Sequence, residues 1–108
     1  MKPETAKALA WPWETEHCWY DTDFGWKRGL WCDAVSPSCK KNVTYYHSPS
    51  VEEMPERMPN GIVITKMKDT GRYGVWTGES DFISNESLSE ALAHLCIWLR
   101  DNNLMKWG

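Results

Sequence analysis

Four residues in the first forty have the chemistry of metal ligands: His17, Cys18, Cys32 and Cys39. Thiolate and imidazole are the ligands zinc prefers, and four of them close a structural site. Their spacing is irregular. No C-x2-C pair supplies a knuckle, and in an extended segment the neighbours His17 and Cys18 point to opposite sides. A structural zinc is one reading of this set, and thiols packed among tryptophan rings is the other. No other cofactor is expected. A nucleophile, base and orienting acid could be drawn from Cys32 or Cys39, His47 or His94, and Asp81, but no spacing selects such a set. Gly71-x-x-Gly74 is the nearest approach to a glycine loop, and hairpin geometry accounts for it without a phosphate.

Aromatic and basic residues interleave in a second group. Trp26, Lys27, Arg28, Trp31, Tyr45 and Tyr46 are the types that dominate protein-interface hot spots. The same mixture can stack single-stranded bases. The charge balance orders these two readings. The chain has net charge −3, and residues 51–108 carry nine acidic against six basic side chains. A surface that grips a phosphate backbone should be basic. A protein partner is therefore expected ahead of nucleic acid, and core aromatics beside solvated lysines is the plainer reading, placed before both.

The elements that must position these groups are clearest at the end of the chain. Ser87 followed by Glu90 is a capping box. Leu88, Ala91, Leu92, Leu95, Cys96 and Leu99 then recur at spacings of three and four, which puts them on one face of a helix. Asp101-Asn102-Asn103 supplies the stop. Ile97 lies opposite Leu88 on the wheel, so something must cover it, and the tryptophan-rich N-terminal segment is the candidate. Upstream, Ile62–Met67 and Arg72–Thr77 read as strands joined by the turn Lys68–Gly71, with a third short strand over Asp81–Ser84. Ser50 and Glu53 form a second capping box for a short helix carrying Pro55, with Ser48 and Pro49 at its start.

Residues 14–50 are harder to read. His17–Asp21 and Lys27–Asp33 suggest strands turning at Thr22–Gly25, and Val43–His47 has strand composition. The first ten residues are polar and fit a frayed helical turn or a flexible arm, and the arm is the expectation. The whole reads as one small α+β domain, an antiparallel sheet packed by the C-terminal amphipathic helix with a tryptophan-rich N-terminal flank. Its divisions are an arm over 1–10, tryptophan- and cysteine-rich strands and loops over 11–47, and helix, hairpin, short strand and helix over 48–104. There is no apolar run of eighteen residues to span a membrane. The start lacks a signal-peptide core, so a cytoplasmic protein with reduced thiols is expected. The short predicted sheet leaves edges that could pair in a homodimer.

Over Gly61–Leu99, the hairpin with GRYGVW, a short acidic stretch, and SEALAHL opening a helix together resemble HicB-like antitoxin domains. That resemblance implies a toxin-neutralising partner that often binds an operator. The residues that follow the helix in this sequence are Met105–Gly108, so the operator-binding half of the resemblance is not expected. SVEEMPERMP followed by EALAHLCIWLRDNN, spanning about residues 48–104, resembles small phage- or prophage-encoded proteins of unknown function. Helix–strands–helix order is also similar to double-stranded RNA-binding domains. Their second helix starts basic, whereas Glu86-Ser87-Leu88-Ser89-Glu90 is acidic, and that reading is rejected. The expectation is a protein-binding accessory protein without catalysis, with a HicB-like antitoxin or a zinc-stabilised module contacting nucleic acid as alternatives.

Overall fold

A computed structural model of the chain describes residues 1–22, 24–30 and 44–107. The described residues form three helices and six strands: α1 (Pro3–Leu9), β1 (His17–Thr22), β2 (Gly25–Leu30), β3 (Tyr45–His47), α2 (Glu53–Arg57), β4 (Val63–Lys66), β5 (Tyr73–Trp76), β6 (Ile83–Asn85) and α3 (Leu88–Asp101). The fold is α+β. Its strands make two antiparallel three-stranded sheets, in the order β2–β1–β3 and β4–β5–β6. Among the described residues, no helix is long and apolar enough to cross a membrane.

The second sheet and α3 form the centre. Ile64, Val75 and Ile83 stand opposite one another in register and so share a face. That face turns to α3, which packs on β5 and β6. Ala91, Leu92, Leu95, Cys96 and Leu99 are all buried beneath it with Val75. On the far face Phe82 folds over Gly74. A Cβ placed on that glycine would collide with the Phe82 ring, so glycine is what lets the ring settle there. Phe82 precedes β6, so the third strand begins two residues later than its composition suggested.

Turn chemistry behaves as read. The hairpin β4–β5 closes with Gly71 N–H donating to the Met67 carbonyl at 2.8 Å, and Gly71 takes a positive φ of 69°. A positive φ of this kind is where glycine is favoured in a turn. In the first hairpin, Thr22 Oγ1 donates to the Gly25 carbonyl at 2.6 Å and accepts from Phe24 N–H at 3.1 Å, the local side-chain bonding that turn-forming hydroxyls supply. Ser50 and Glu53 exchange both capping bonds, at 2.9 and 3.1 Å, which completes the capping box. Ser48 and Pro49 are buried ahead of this helix instead of opening it. At Ser87 only half of the box forms. The hydroxyl accepts from Glu90 N–H at 3.5 Å, but Ser87 N–H goes to Asn85 Oδ1. α3 ends in a Schellman arrangement. Asn103 is left-handed at φ 57°, and Leu104 N–H reaches the Leu99 carbonyl at 2.8 Å.

One expectation is corrected. Residues 1–10 are not an arm, because Pro3–Leu9 is a helix with Thr5, Ala6 and Leu9 buried. α1 packs along the side of α3 that carries Glu90, Ala93, Ile97 and Arg100. Thr5 Oγ1 donates to Glu90 Oε2 at 2.6 Å, Lys2 N–H to Glu90 Oε1, and Arg100 to the Leu9 carbonyl at 2.7 Å. Ile97 itself is half-buried against the core, and the element docked on α3 is α1, which carries no tryptophan. A seven-residue helix is marginal alone, and docking onto α3 is what holds it. The element was missed because its apolar signal is a single leucine.

The fully buried Cys96 sits in this core, and burial pushes its thiol up to about 12. A low-dielectric surrounding disfavours the charged thiolate, and only the thiolate attacks an alkylating reagent. Cys96 is therefore expected to react at pH 8 about a thousandfold more slowly than an unperturbed cysteine, restored on denaturation. Peptide mapping after a timed iodoacetamide pulse reads this directly. Rapid native labelling of Cys96 would contradict the packing.

Candidate functional site

The first sheet stands apart from the main core, whose buried cluster takes no described residue from β1, β2 or β3. α1 touches it through β3. Cys18 of β1 is fully buried, and hydrogen bonds add to the connection. Ser48 N–H bonds the His17 carbonyl at 3.1 Å, Glu16 N–H bonds Glu53 Oε2 at 3.2 Å, and Trp19 Nε1–H donates to the Met1 carbonyl at 3.0 Å.

Register sorts the predicted interface residues. Trp19 is opposite both Arg28 and Tyr46, and Asp21 is opposite Trp26. Trp26, Arg28 and Tyr46 therefore share one face, with Trp19 between them. The Trp26 and Tyr46 rings approach to 5.6 Å between centroids, tilted at 41°, within the range of favourable aromatic pairs. Arg28 Nε donates to Ser48 Oγ at 3.4 Å. Lys27 and Tyr45 lie opposite Tyr20 on the reverse face. There the Tyr20 ring lies over Gly29, where an added Cβ would come within 3.1 Å of it. Trp31 lies outside the described residues. The six residues are thus one group of three, one of two, and one without description.

Several apolar groups on this sheet meet solvent. Phe24 at the hairpin tip is 92% exposed, Leu30 41%, Tyr45 39% and Trp26 37%. Buried hydrophobic area is the usual driving force for keeping such side chains in place. Here the β-ladder and the Trp26–Tyr46 contact hold them, and their apolar surface stays outward.

Of the predicted metal set, Cys32 and Cys39 lie outside the described residues. His17 and Cys18 are successive positions of β1, with Cys18 fully buried, and successive strand positions point to opposite faces. Among the described residues, no three histidine, cysteine or acidic side chains gather closely enough to hold a metal. Cys18 is directly opposite His47.

His47 is held by a neighbour that sequence reading missed. Thr15 Oγ1 donates its single hydrogen to the His17 carbonyl, so it must accept at 3.0 Å from His47 Nδ1–H, since a hydroxyl has one proton to give. Burial lowers the imidazole's pKa below its ordinary value, partly opposed by Glu14 and Glu53. The unfolded chain therefore takes up a proton more readily than the native one. The neutral ring's contribution to stability is complete above about pH 6.5 and is lost as pH falls through that value. His47→Gln should accordingly lose less stability than the parent between pH 7.5 and 5. Paired denaturant titrations test this, and parallel slopes would refute it.

A second grouping was not foreseen. Trp11, Trp13 and Trp107 meet edge to face, with centroids 4.9 to 5.6 Å apart and interplanar angles of 69° to 89°, the arrangement that ring quadrupoles favour. Arg57 stacks over Trp13 at 4.8 Å and Arg100 over Trp107 at 5.3 Å, close enough for cation–π attraction. Beside them opens a cleft of about 490 Å³ lined by Trp13, Glu56, Arg57, Lys106 and Trp107. The rings come from opposite ends of the chain, so no local sequence signal joins them.

The fold and these surfaces define a small two-sheet α+β domain with an aromatic outer sheet. Comparison with protein-family models, curated proteins and solved structures gave no match.

Proposed function

We propose that this chain is a non-catalytic module that binds another protein through its first sheet, on the face carrying Trp26, Arg28 and Tyr46. The observation that supports the reading is that Trp26 and Leu30 are 37% and 41% exposed on this face and Phe24 92% exposed at its hairpin tip, on a sheet outside the main hydrophobic cluster. Exposed apolar patches rimmed by charge mark interaction surfaces. Trp, Tyr and Arg are also the residues whose truncation costs most at interfaces. A flat β face with a stacked Trp–Tyr pair and one guanidinium offers both an anchor and an orienting charge. The net charge of −3 favours a protein partner over a nucleic-acid backbone.

The test compares the parent protein with the triple variant Trp26→Ala/Arg28→Ala/Tyr46→Ala as bait against lysate of the source cell, followed by measured affinity for the captured protein. Truncating anchors of this type should weaken the complex by at least about 2 kcal/mol, roughly thirtyfold, while circular dichroism stays unchanged. Equal capture by the variant moves the interface elsewhere. A parent that retains nothing overturns the reading.

A further inference from the structure

We propose that Asn60 is a modification site whose carboxamide converts to a carboxylate without an enzyme, through attack by the Gly61 backbone nitrogen. The reaction needs an asparagine followed by a residue that leaves room at its amide, and glycine, with no side chain, leaves the most. Asn60-Gly61 is the one Asn-Gly pair in the chain. The Gly61 N–H gives its proton to solvent as its nitrogen bonds to Asn60 Cγ. The Cγ–Nδ2 bond breaks, and the amide nitrogen takes up a proton and leaves as ammonia. The cyclic imide that remains adds one water, which opens it at either of its two carbonyls. One opening gives aspartate. The other gives isoaspartate, in which the main chain runs through the side-chain carbonyl. Water enters, ammonia leaves, and nothing is oxidised or reduced.

A folded chain can suppress this reaction by pinning either group, and here both are released. Asn60 and Gly61 are exposed, in the link between α2 and β4. Among the described residues, neither the Asn60 carboxamide nor the Gly61 N–H has a hydrogen-bond partner. Gly61 stands at φ 91°, and a Cβ placed on it would meet nothing within 4 Å, so the space beside the attacking nitrogen is open.

The other described asparagines are held. Asn85 Oδ1 accepts from Ser87 N–H at 3.1 Å. Asn102 Nδ2 donates to the Trp98 carbonyl at 2.8 Å, and the amide that would attack it, Asn103 N–H, bonds the Arg100 carbonyl at 3.1 Å. The amide after Asn103, Leu104 N–H, reaches the Leu99 carbonyl at 2.8 Å. Each of these sites must give up a hydrogen bond before its ring can close, and Asn60 need not. Asn60 also lines a cleft of about 320 Å³ together with Thr77, Glu79 and Leu99. The modification adds one negative charge to a chain of net charge −3 and places it in the cleft that Glu79 already lines, where like charges repel. None of these residues belongs to the first-sheet face, so the proposal is independent of the binding reading.

Incubation of the full chain at mildly alkaline pH, native and in urea, followed by peptide mapping, tests this. The ratio of native to unfolded rate at each asparagine cancels the effect of the residue that follows it. In the native chain the Asn60 peptide should gain the mass of an amide-to-acid exchange and split into aspartate and isoaspartate forms. Its rate should stay within about threefold of the unfolded rate, because no local structure must open first. Folding should slow Asn85 and Asn102 at least about fivefold, roughly the factor that one hydrogen bond supplies. Ion exchange of the intact protein should resolve a more acidic species that Asn60→Gln lacks, since the longer side chain closes its ring far more slowly. An Asn60 that stays an amide in the native chain overturns the proposal. Equal slowing of Asn60 and Asn102 by folding, or an acidic species that persists in Asn60→Gln, likewise overturns it.

Discussion

Trp11→Ala is expected to destabilise the protein by about 3–5 kcal/mol, the range for truncating a fully packed aromatic side chain. Trp11 is 4% exposed and is the inner member of the three-ring cluster. Its loss removes the buried area of one indole together with two edge-to-face contacts, each worth about 0.5–1.5 kcal/mol beyond area. It also opens a cavity that Trp13 and Trp107 cannot both close, because Arg57 and Arg100 cap them from outside. The consequence is not local. Trp107 ties the tail after α3 to the segment after α1, so both chain ends should loosen together, with faster amide exchange at Met105 and Trp107. Trp26→Ala is the control. That ring is 37% exposed and outside the core, and its truncation should cost less than about 1 kcal/mol. Denaturant unfolding followed by circular dichroism separates the two. A small loss at Trp11 would show that the cluster is ornamental. A large loss at Trp26 would make the outer sheet's aromatics structural and remove the support for the binding face.

The contrast between these tryptophans also marks how far the sequence could be read. Periodicity found α3 and both hairpins, because the spacing of Leu88, Leu92, Leu95 and Leu99 and the glycines at turns are local signals. It read the sheet β4–β5–β6 under α3 and strands in the N-terminal half, but nothing local says that β1, β2 and β3 pair into a second sheet of their own. Lys27 and Arg28 illustrate a signal that was available. Adjacent residues of a strand cannot share a face, so period two already divided that group. Trp11 and Trp107 illustrate the reverse. Ninety-six positions separate them, and no pattern within either segment predicts their contact. Glu90 misled in a third way. Its position after Ser87 fits a capping box, yet its side chain serves the tertiary structure.

Glu90→Ala is therefore expected to act at a distance from its own helix start. The side chain is buried, and its two oxygens accept from Lys2 N–H and Thr5 Oγ1, with His94 Nε2 at 3.5 Å. Hydrogen bonds to a charged group contribute about 1.5–3 kcal/mol each on truncation, and removal leaves Thr5 Oγ1 without its acceptor in a buried place. A loss of about 2–3 kcal/mol follows, concentrated in α1, since α3 keeps its cap through the Ser87 hydroxyl and the Asn85–Ser87 bond. Thr5→Val should cost less, and the Thr5→Val/Glu90→Ala pair should be less destabilised than the sum of the singles, because both remove the same bond. Hydrogen exchange at Ala6 and Ala10 gives the local readout. These amides should lose protection in Glu90→Ala well before those of Leu95 and Leu99, which identifies α1 as the first element to open. If protection at Ala6 is unchanged and the stability loss is under about 0.5 kcal/mol, then Ala6 and Leu9 dock α1 by apolar contact alone, and the buried carboxyl group is not what holds it.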